Sequence, residues 1–103
     1  MKPIRVETEA KRELAAAIAW YEQRREGLGR EFLAELDALL AAVARDPARF
    51  PPYPRVDPEL GVRRALPRRF PYAVAFMDLG SVIRVIAVAH ERRRPGYWMA
   101  RAK

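Results

Sequence analysis

The chain has 103 residues, of which 50% are hydrophobic and 32% are charged, and it carries a formal net charge of +7. This size and balance predict a single folded domain over residues 1–103 and exclude a disordered chain. With no cysteine and one histidine, disulfides, a thiolate nucleophile and a sulfur metal site are excluded, so we expect no metal and no cofactor.

The positive charge is concentrated in the second part of the chain. Residues 1–61 contain 10 Lys and Arg against 11 Asp and Glu, whereas residues 62–103 contain 10 against 2. Such a patch attracts nucleic acid, an anionic membrane or an acidic protein by electrostatic steering. The chain lacks a secretory signal and a bilayer-spanning apolar run, so we expect a cytoplasmic protein with no membrane partner.

The first half of the chain predicts a short strand followed by two helices. Residues 3–7 are extended in pattern, and apolar residues then recur at helical spacing from Thr8, the predicted N-cap, to Gly27. Leu28 and Gly29 are predicted to form a tight connection to a second amphipathic helix that ends before Pro47. A connection this short predicts an antiparallel helix hairpin.

The second half predicts a sheet. After an irregular, proline-rich connector at 47–60, residues 61–68, 70–79 and 81–90 form three extended runs separated by short turns. Pro67 predicts that the first of these strands lies at the sheet edge or stops there. The predicted fold class is therefore α+β: a short strand, a two-helix hairpin, and a three-stranded antiparallel meander packed on the hairpin.

Alternation along the last strand divides its side chains between two faces. One face holds Ile83, Val85, Ala87 and Ala89, which we expect to pack on the hairpin. The other holds Val82, Arg84, Ile86, Val88 and His90, and it is expected to line a partly open surface that Arg64 could join.

The first helix is apolar around more than one face. Ala15, Ala16, Ala19 and Trp20 lie beside its core stripe. Either the alanines are simply good helix formers and Trp20 covers the hairpin edge, or these residues form a groove for a partner's helix.

Three groups of residues, in this order, carry a family resemblance. They are Trp20-Tyr21-Glu22, Phe70-Pro71-Tyr72, and Ala89-His90 followed by Arg93, Pro95 and Trp98. The chain resembles toxins of the RelE/ParE superfamily, which belong to type II toxin-antitoxin pairs. The resemblance implies the predicted architecture and a cognate antitoxin, for which we predict contacts at Ala16, Trp20, Arg63 and Arg68.

The superfamily has two branches, and the resemblance alone allows both. In a ribosome-dependent messenger ribonuclease, the candidate catalytic residues would be Arg64, His90, Arg92 and Tyr97, because metal-free RNA cleavage needs proton transfer and cations for the phosphate. Against this, Tyr72 is followed by Ala73, where related ribonucleases usually have an arginine. The sequence favours the ParE-like branch, which poisons DNA gyrase by binding it and has no bond-breaking chemistry of its own.

The segment after the last strand is predicted to have two roles. Pro95 and Trp98 would close the domain, with Trp98 as an apolar lid, while Tyr97 would point away from it. The predicted target-binding residues are Arg64, Arg84, His90, Arg93, Tyr97 and Arg101. The expected partners are the antitoxin and DNA gyrase, with the ribosome and mRNA as the alternative target and no small-molecule substrate; a simple nucleic-acid binder ranks last.

Overall fold

The computed structural model describes residues 1–103 as a four-stranded sheet with a helix hairpin on one face. The elements are β1 (Ile4–Val6), α1 (Thr8–Arg24), α2 (Leu28–Arg45), β2 (Arg63–Ala65), β3 (Tyr72–Asp78) and β4 (Ile83–His90). Short 3-10 turns lie at Pro47–Arg49, Pro58–Leu60 and Met99–Ala102. None of the helices combines the length and the apolar character that crossing a bilayer requires.

The strand order is β1-β4-β3-β2, which confirms the predicted α+β class and the antiparallel meander of the last three strands. The first strand adds to the meander by pairing in parallel with β4, with Ile4 opposite Ile83. The strand β2 lies at the sheet edge and ends at Ala65, two residues before Pro67, as the missing N–H of proline predicted.

The connection between the helices differs from the prediction. The first helix ends at Arg24, and Leu28 and Gly29 form the first turn of α2. The reason is Glu22, whose carboxylate accepts hydrogen bonds from the N–H groups of Gly27 (2.9 Å) and Gly29 (3.0 Å) and so replaces the missing helical partners. Gly27, at φ 88°, precedes α2 instead of ending α1.

The start of α1 also differs from the prediction. Thr8 is the first helical residue and Glu7 is the N-cap, with no capping hydrogen bond from its side chain. Glu7 is held by the sheet instead, because its N–H donates to the Val85 carbonyl (2.9 Å) and its carboxylate pairs with Arg84.

A β-bulge in β4 overturns the predicted division of its faces. Ala75 pairs with Ala87 but Phe76 pairs with Val85, so Ile86 is the extra residue and the alternation changes there. Ile83, Val85 and Val88 pack in the core beneath the helices. Ala87 and Ala89, which were expected there, lie on the other side of the sheet with Ile86.

The sheet therefore separates two apolar clusters. The main core joins the hairpin to the first face, with Phe32, Leu36 and Phe76 fully buried. On the second face, the connector before β2 and the C-terminal segment cover Ile86 and both alanines. Trp98 is only 1% exposed in this second cluster, which confirms its predicted place as an apolar lid.

Candidate functional site

A single carboxylate joins the helix α1, the strand β4 and the C-terminal segment. Glu13 accepts hydrogen bonds from the Val88 N–H (3.0 Å), the Tyr97 hydroxyl and both terminal nitrogens of Arg101 (3.0 and 3.2 Å). Arg93 lies 3.7 Å from the same carboxylate. The bond to Val88 is needed because β1 pairs with β4 only as far as Val85 and leaves the next N–H groups on that edge without a strand partner.

Sequence reasoning missed Glu13, although a signal existed. It lies on α1 between Ala10 and Ala17, both of which are buried in the core. A carboxylate on the buried stripe of a helix needs hydrogen-bond donors, and the basic second half of the chain could supply them.

Tyr97 was expected to point away from Trp98, toward solvent or a target, but its hydroxyl is bound within the fold. Its hydroxyl donates to Glu13, and the guanidinium of Arg93 lies 3.8 Å from the centre of its ring. Burial, and then the hydrogen bond to Glu13, raise the pKa of the Tyr97 hydroxyl well above its ordinary value. A hydroxyl in this state is a poor proton donor for RNA cleavage at neutral pH.

His90 ends β4 and stacks edge-on against Tyr72, with ring centres 5.0 Å apart. Its Nδ1 accepts the backbone N–H of Arg92 at 3.0 Å. The neutral ring therefore carries its proton on Nε2, and neither nitrogen offers a free lone pair to a substrate. The sequence alone allowed His90 either a backbone hydrogen bond or an active role, and the structure shows the backbone hydrogen bond.

Arg84 and Arg101 are both engaged within the fold. Arg84 donates to the Glu7 carboxylate at 3.0 and 2.7 Å and to the Arg101 carbonyl at 2.9 Å. Arg101 donates to Glu13 and to the Ile86 carbonyl (3.1 Å). Their guanidinium groups hold the C-terminal segment against β4, so these two predicted target-binding residues present little free charge.

A cavity of about 330 Å³ lies at one end of the second face. It brings together four of the predicted target-binding residues: Arg64, His90, Arg93 and Tyr97. Arg84 and Arg101 do not line it. Arg64 reaches it from the second face, opposite Ala75, whereas His90 projects from the helix face and also lines a second, larger groove.

A larger groove of about 900 Å³ lies between α1 and the end of β4. It is lined by Ala16 and Trp20 from the helix, and by Tyr72, Val88, His90, Arg92 and Arg93 across from it. Trp20 is 49% exposed, and Arg24 covers one face of its ring at 3.7 Å. Of the four residues beside the core stripe, Ala16 and Trp20 line this groove, whereas Ala15 and Ala19 do not.

The remaining residues predicted to bind the antitoxin lie at the other edge of the sheet. Arg63, on β2, donates to the carbonyls of Ala48 and Phe50 and so holds the connector in place. The backbone N–H of Arg68 donates to Glu35 on α2, and its side chain is exposed. The four predicted antitoxin contacts therefore do not form one patch.

Three of the four predicted ribonuclease residues, Arg64, His90 and Tyr97, line the cavity, whereas Arg92 lies outside it and lines the groove. No three acidic or histidine side chains are grouped so that they could hold a metal ion. The arrangement offers cations and aromatic rings for binding, while its two candidates for proton transfer are occupied by structural hydrogen bonds.

Comparison with known proteins agrees with this architecture. Residues 4–95 match the model of the family described as the ParE toxin of the type II toxin-antitoxin system, parDE. A chain of the chromosomal ParDE TA system from P. aeruginosa is similar in fold, with a TM-score of 0.71 and 17% sequence identity, over 87% of this chain and 96% of that one. Comparison with curated proteins gave no significant match. Because the family model spans nearly the whole chain, the chain belongs to the ParE toxin family of the RelE/ParE superfamily and is the toxin component of a type II toxin-antitoxin system.

Proposed function

We propose that this toxin inhibits DNA gyrase by binding it, without catalysing a reaction, and that a cognate antitoxin neutralises it by covering the groove beside α1. Membership of the ParE toxin family supports the choice of target. The observation that carries the choice of binding over catalysis is the state of Tyr97, whose hydroxyl donates to Glu13.

RNA cleavage without a metal needs both a base for the 2′-hydroxyl and an acid for the leaving oxygen. Freeing Tyr97 for that work would leave Glu13 facing Arg101 and the Val88 N–H without one of its donors. Freeing the Nδ1 of His90 would break its bond to Arg92. A docking surface needs neither change, because arginine and aromatic side chains contribute to binding as they stand.

The target surface in this proposal centres on Arg93. Its side chain is 56% exposed and its guanidinium lies over Tyr97, which fixes the position of the charge. Arg64 and His90 line the adjoining cavity. Arg84 and Arg101 contribute by holding the C-terminal segment, and Tyr97 contributes its ring.

The groove beside α1 has the character of a site for an amphipathic protein segment. Trp20 and Ala16 supply apolar surface on one wall, and Arg92 and Arg93 supply positive charge on the other. An antitoxin segment with one apolar and one acidic face would match both walls. Arg63 and Arg68 would contact it only if it continued around to β2.

Two assays with the same purified protein test the target. We expect the protein to inhibit DNA supercoiling by purified gyrase and to leave messenger RNA intact on translating ribosomes. Cleavage of messenger RNA without inhibition of gyrase would replace the proposal with the ribonuclease alternative. If a folded preparation neither inhibits gyrase nor cleaves messenger RNA, both the proposal and its alternative are contradicted.

The antitoxin site is tested by replacing Trp20 with alanine and measuring the affinity of the cognate antitoxin. Exposed aromatic anchors typically contribute about 2 kcal/mol or more, so the Kd should rise at least about 30-fold. Leu79→Ala is the matched control, because Leu79 is also 49% exposed but lies in the turn between β3 and β4. Equal effects of both substitutions would contradict this placement.

A further inference from the structure

The cavity on the second face carries an excess of positive charge that no partner in the fold neutralises. Four arginines line it, against one carboxylate, that of Glu91. Of these arginines, only Arg93 has an acidic partner within 4.0 Å. Arg55, Arg64 and Arg94 form no ion pair at all. Such a set of guanidinium groups is suited to an oxyanion with more than one negative charge.

The side chain of Arg64 has neither a hydrogen-bond partner nor an ion-pair partner in the fold, although it is partly buried. Its Nε is buried and has no hydrogen-bond partner, and it is the one buried side-chain nitrogen or oxygen in the protein in that state. Buried donors are almost always satisfied, because an unpaired N–H loses its bonds to water and gains nothing in return. Because Nε is closed to solvent, a bound oxyanion would accept from the terminal nitrogens of Arg64, which lines the cavity.

Arg55 provides an independent sign at the rim of the cavity. It is the only non-glycine residue with a positive φ, at 63°. Arginine gains nothing locally from this conformation, and residues held in this way tend to occur at ligand sites. Its side chain is exposed and lines the cavity together with Arg93 and Arg94.

We propose that this cavity binds a dianionic phosphate group, either inorganic phosphate or the terminal phosphate monoester of a nucleotide, with Arg64 as its most buried ligand. A volume of about 330 Å³ is at the lower end of the range for small-molecule sites, and it suits a ligand no larger than a nucleoside monophosphate. Such a group is favoured over the diester of a nucleic-acid chain because its second negative charge matches the surplus of arginines. This site goes beyond gyrase binding and does not depend on it.

The experiment is calorimetric titration of the full-length protein with inorganic phosphate and with adenosine monophosphate, at constant ionic strength. We expect saturable binding of at least one of them. Tighter binding of the nucleotide would identify nucleotides as the source of the phosphate, and equal binding would identify the free ion. Binding no stronger than that of chloride would overturn the proposal, as would tighter binding of a hydroxyl-ended oligonucleotide, which contains only diesters.

Matched variants locate the site. Arg64→Gln should raise the Kd at least about tenfold, because a charge-assisted bond to phosphate is lost. Arg30→Gln removes an equal charge from an exposed position on α2 outside the cavity and should leave the Kd unchanged. If both variants weaken phosphate binding equally, phosphate is attracted only by the overall positive charge, and the proposal is overturned.

A second variant protects the test against a folding defect. Arg94 is exposed, lines the cavity and forms no ion pair, so Arg94→Gln should fold normally. It should weaken phosphate binding about threefold, as expected for one charge at the rim. If neither Arg94→Gln nor Arg64→Gln changes the Kd for phosphate, the anion binds elsewhere and the proposal is overturned.

Discussion

Replacing Glu13 with alanine should destabilise the protein more than any other substitution of a charged residue on α1. The carboxylate is only 13% exposed and serves α1, β4 and the C-terminal segment together. Its removal would leave the Val88 N–H and the Tyr97 hydroxyl without their partner. It would also leave the guanidinium of Arg101, which is 24% exposed, without its counter-charge.

The magnitude follows from these three losses. A buried polar group that loses its partner costs about 1–3 kcal/mol, and the lower half of that range applies where water can enter beside Tyr97. The ion pair with Arg101 is partly screened by solvent, so its loss adds only about 1 kcal/mol. We therefore expect the free energy of unfolding to fall by about 3 kcal/mol, a large part of the roughly 5–15 kcal/mol typical of a domain.

Urea unfolding followed by circular dichroism measures this change directly, and the midpoint of thermal unfolding should fall by more than about 10 °C. Glu9→Ala is the matched control on the same helix, because Glu9 is exposed and pairs only with exposed Arg12. We expect the control to cost about 0.5 kcal/mol. A Glu13→Ala protein no less stable than the control would refute the reasoning.

Three further predictions concern stability. Gly29→Ala should cost about 1–3 kcal/mol in chemical unfolding, because its Cβ would lie 2.6 Å from the Ile18 carbonyl oxygen and force the helices apart; an unchanged midpoint would contradict this contact. Burial raises the pKa of Tyr97, so stability is complete below the ordinary value of 10.0 and falls as pH rises above it. Burial also raises the pKa of the other three tyrosines, so absorbance titration should show Tyr97 ionising last, and Tyr97→Phe should remove this last phase. The bond from Arg84 lowers the pKa of Glu7, so stability is complete above 4.5 and is lost as pH falls below it. The decline should be shallower in Glu7→Gln, and an equal slope would contradict the assignment.

The general architecture could be predicted from the sequence because it depends on periodicity and turn residues. Helical spacing located both helices, and alternation located the meander. The prediction failed where one side chain altered the backbone locally. Glu22 replaces the partners of the Gly27 and Gly29 N–H groups and so moves the start of α2. The extra residue Ile86 reverses the faces of β4, and no sequence pattern distinguishes it from its neighbours.

Four of the six residues that the sequence nominated for target binding lie together, but their hydrogen-bond partners were not predicted. Arg64, His90, Arg93 and Tyr97 do line one cavity. Which of them are free depends on partners far away in sequence, above all Glu13, 84 residues from Tyr97. Sequence patterns report local spacing, so they could not show that the tyrosine hydroxyl was already engaged.

The central claim is that the toxin acts by docking and not by proton transfer. The most direct test compares two concentrations that halve supercoiling by purified gyrase, that of the His90→Gln protein and that of the unaltered protein. Glutamine can still accept the Arg92 N–H and keep a polar group at this place in the target surface, but it cannot transfer a proton near neutral pH. The account predicts inhibitory concentrations within about threefold of each other, a difference of only about 0.6 kcal/mol. Complete loss of inhibition in a folded His90→Gln protein would contradict it.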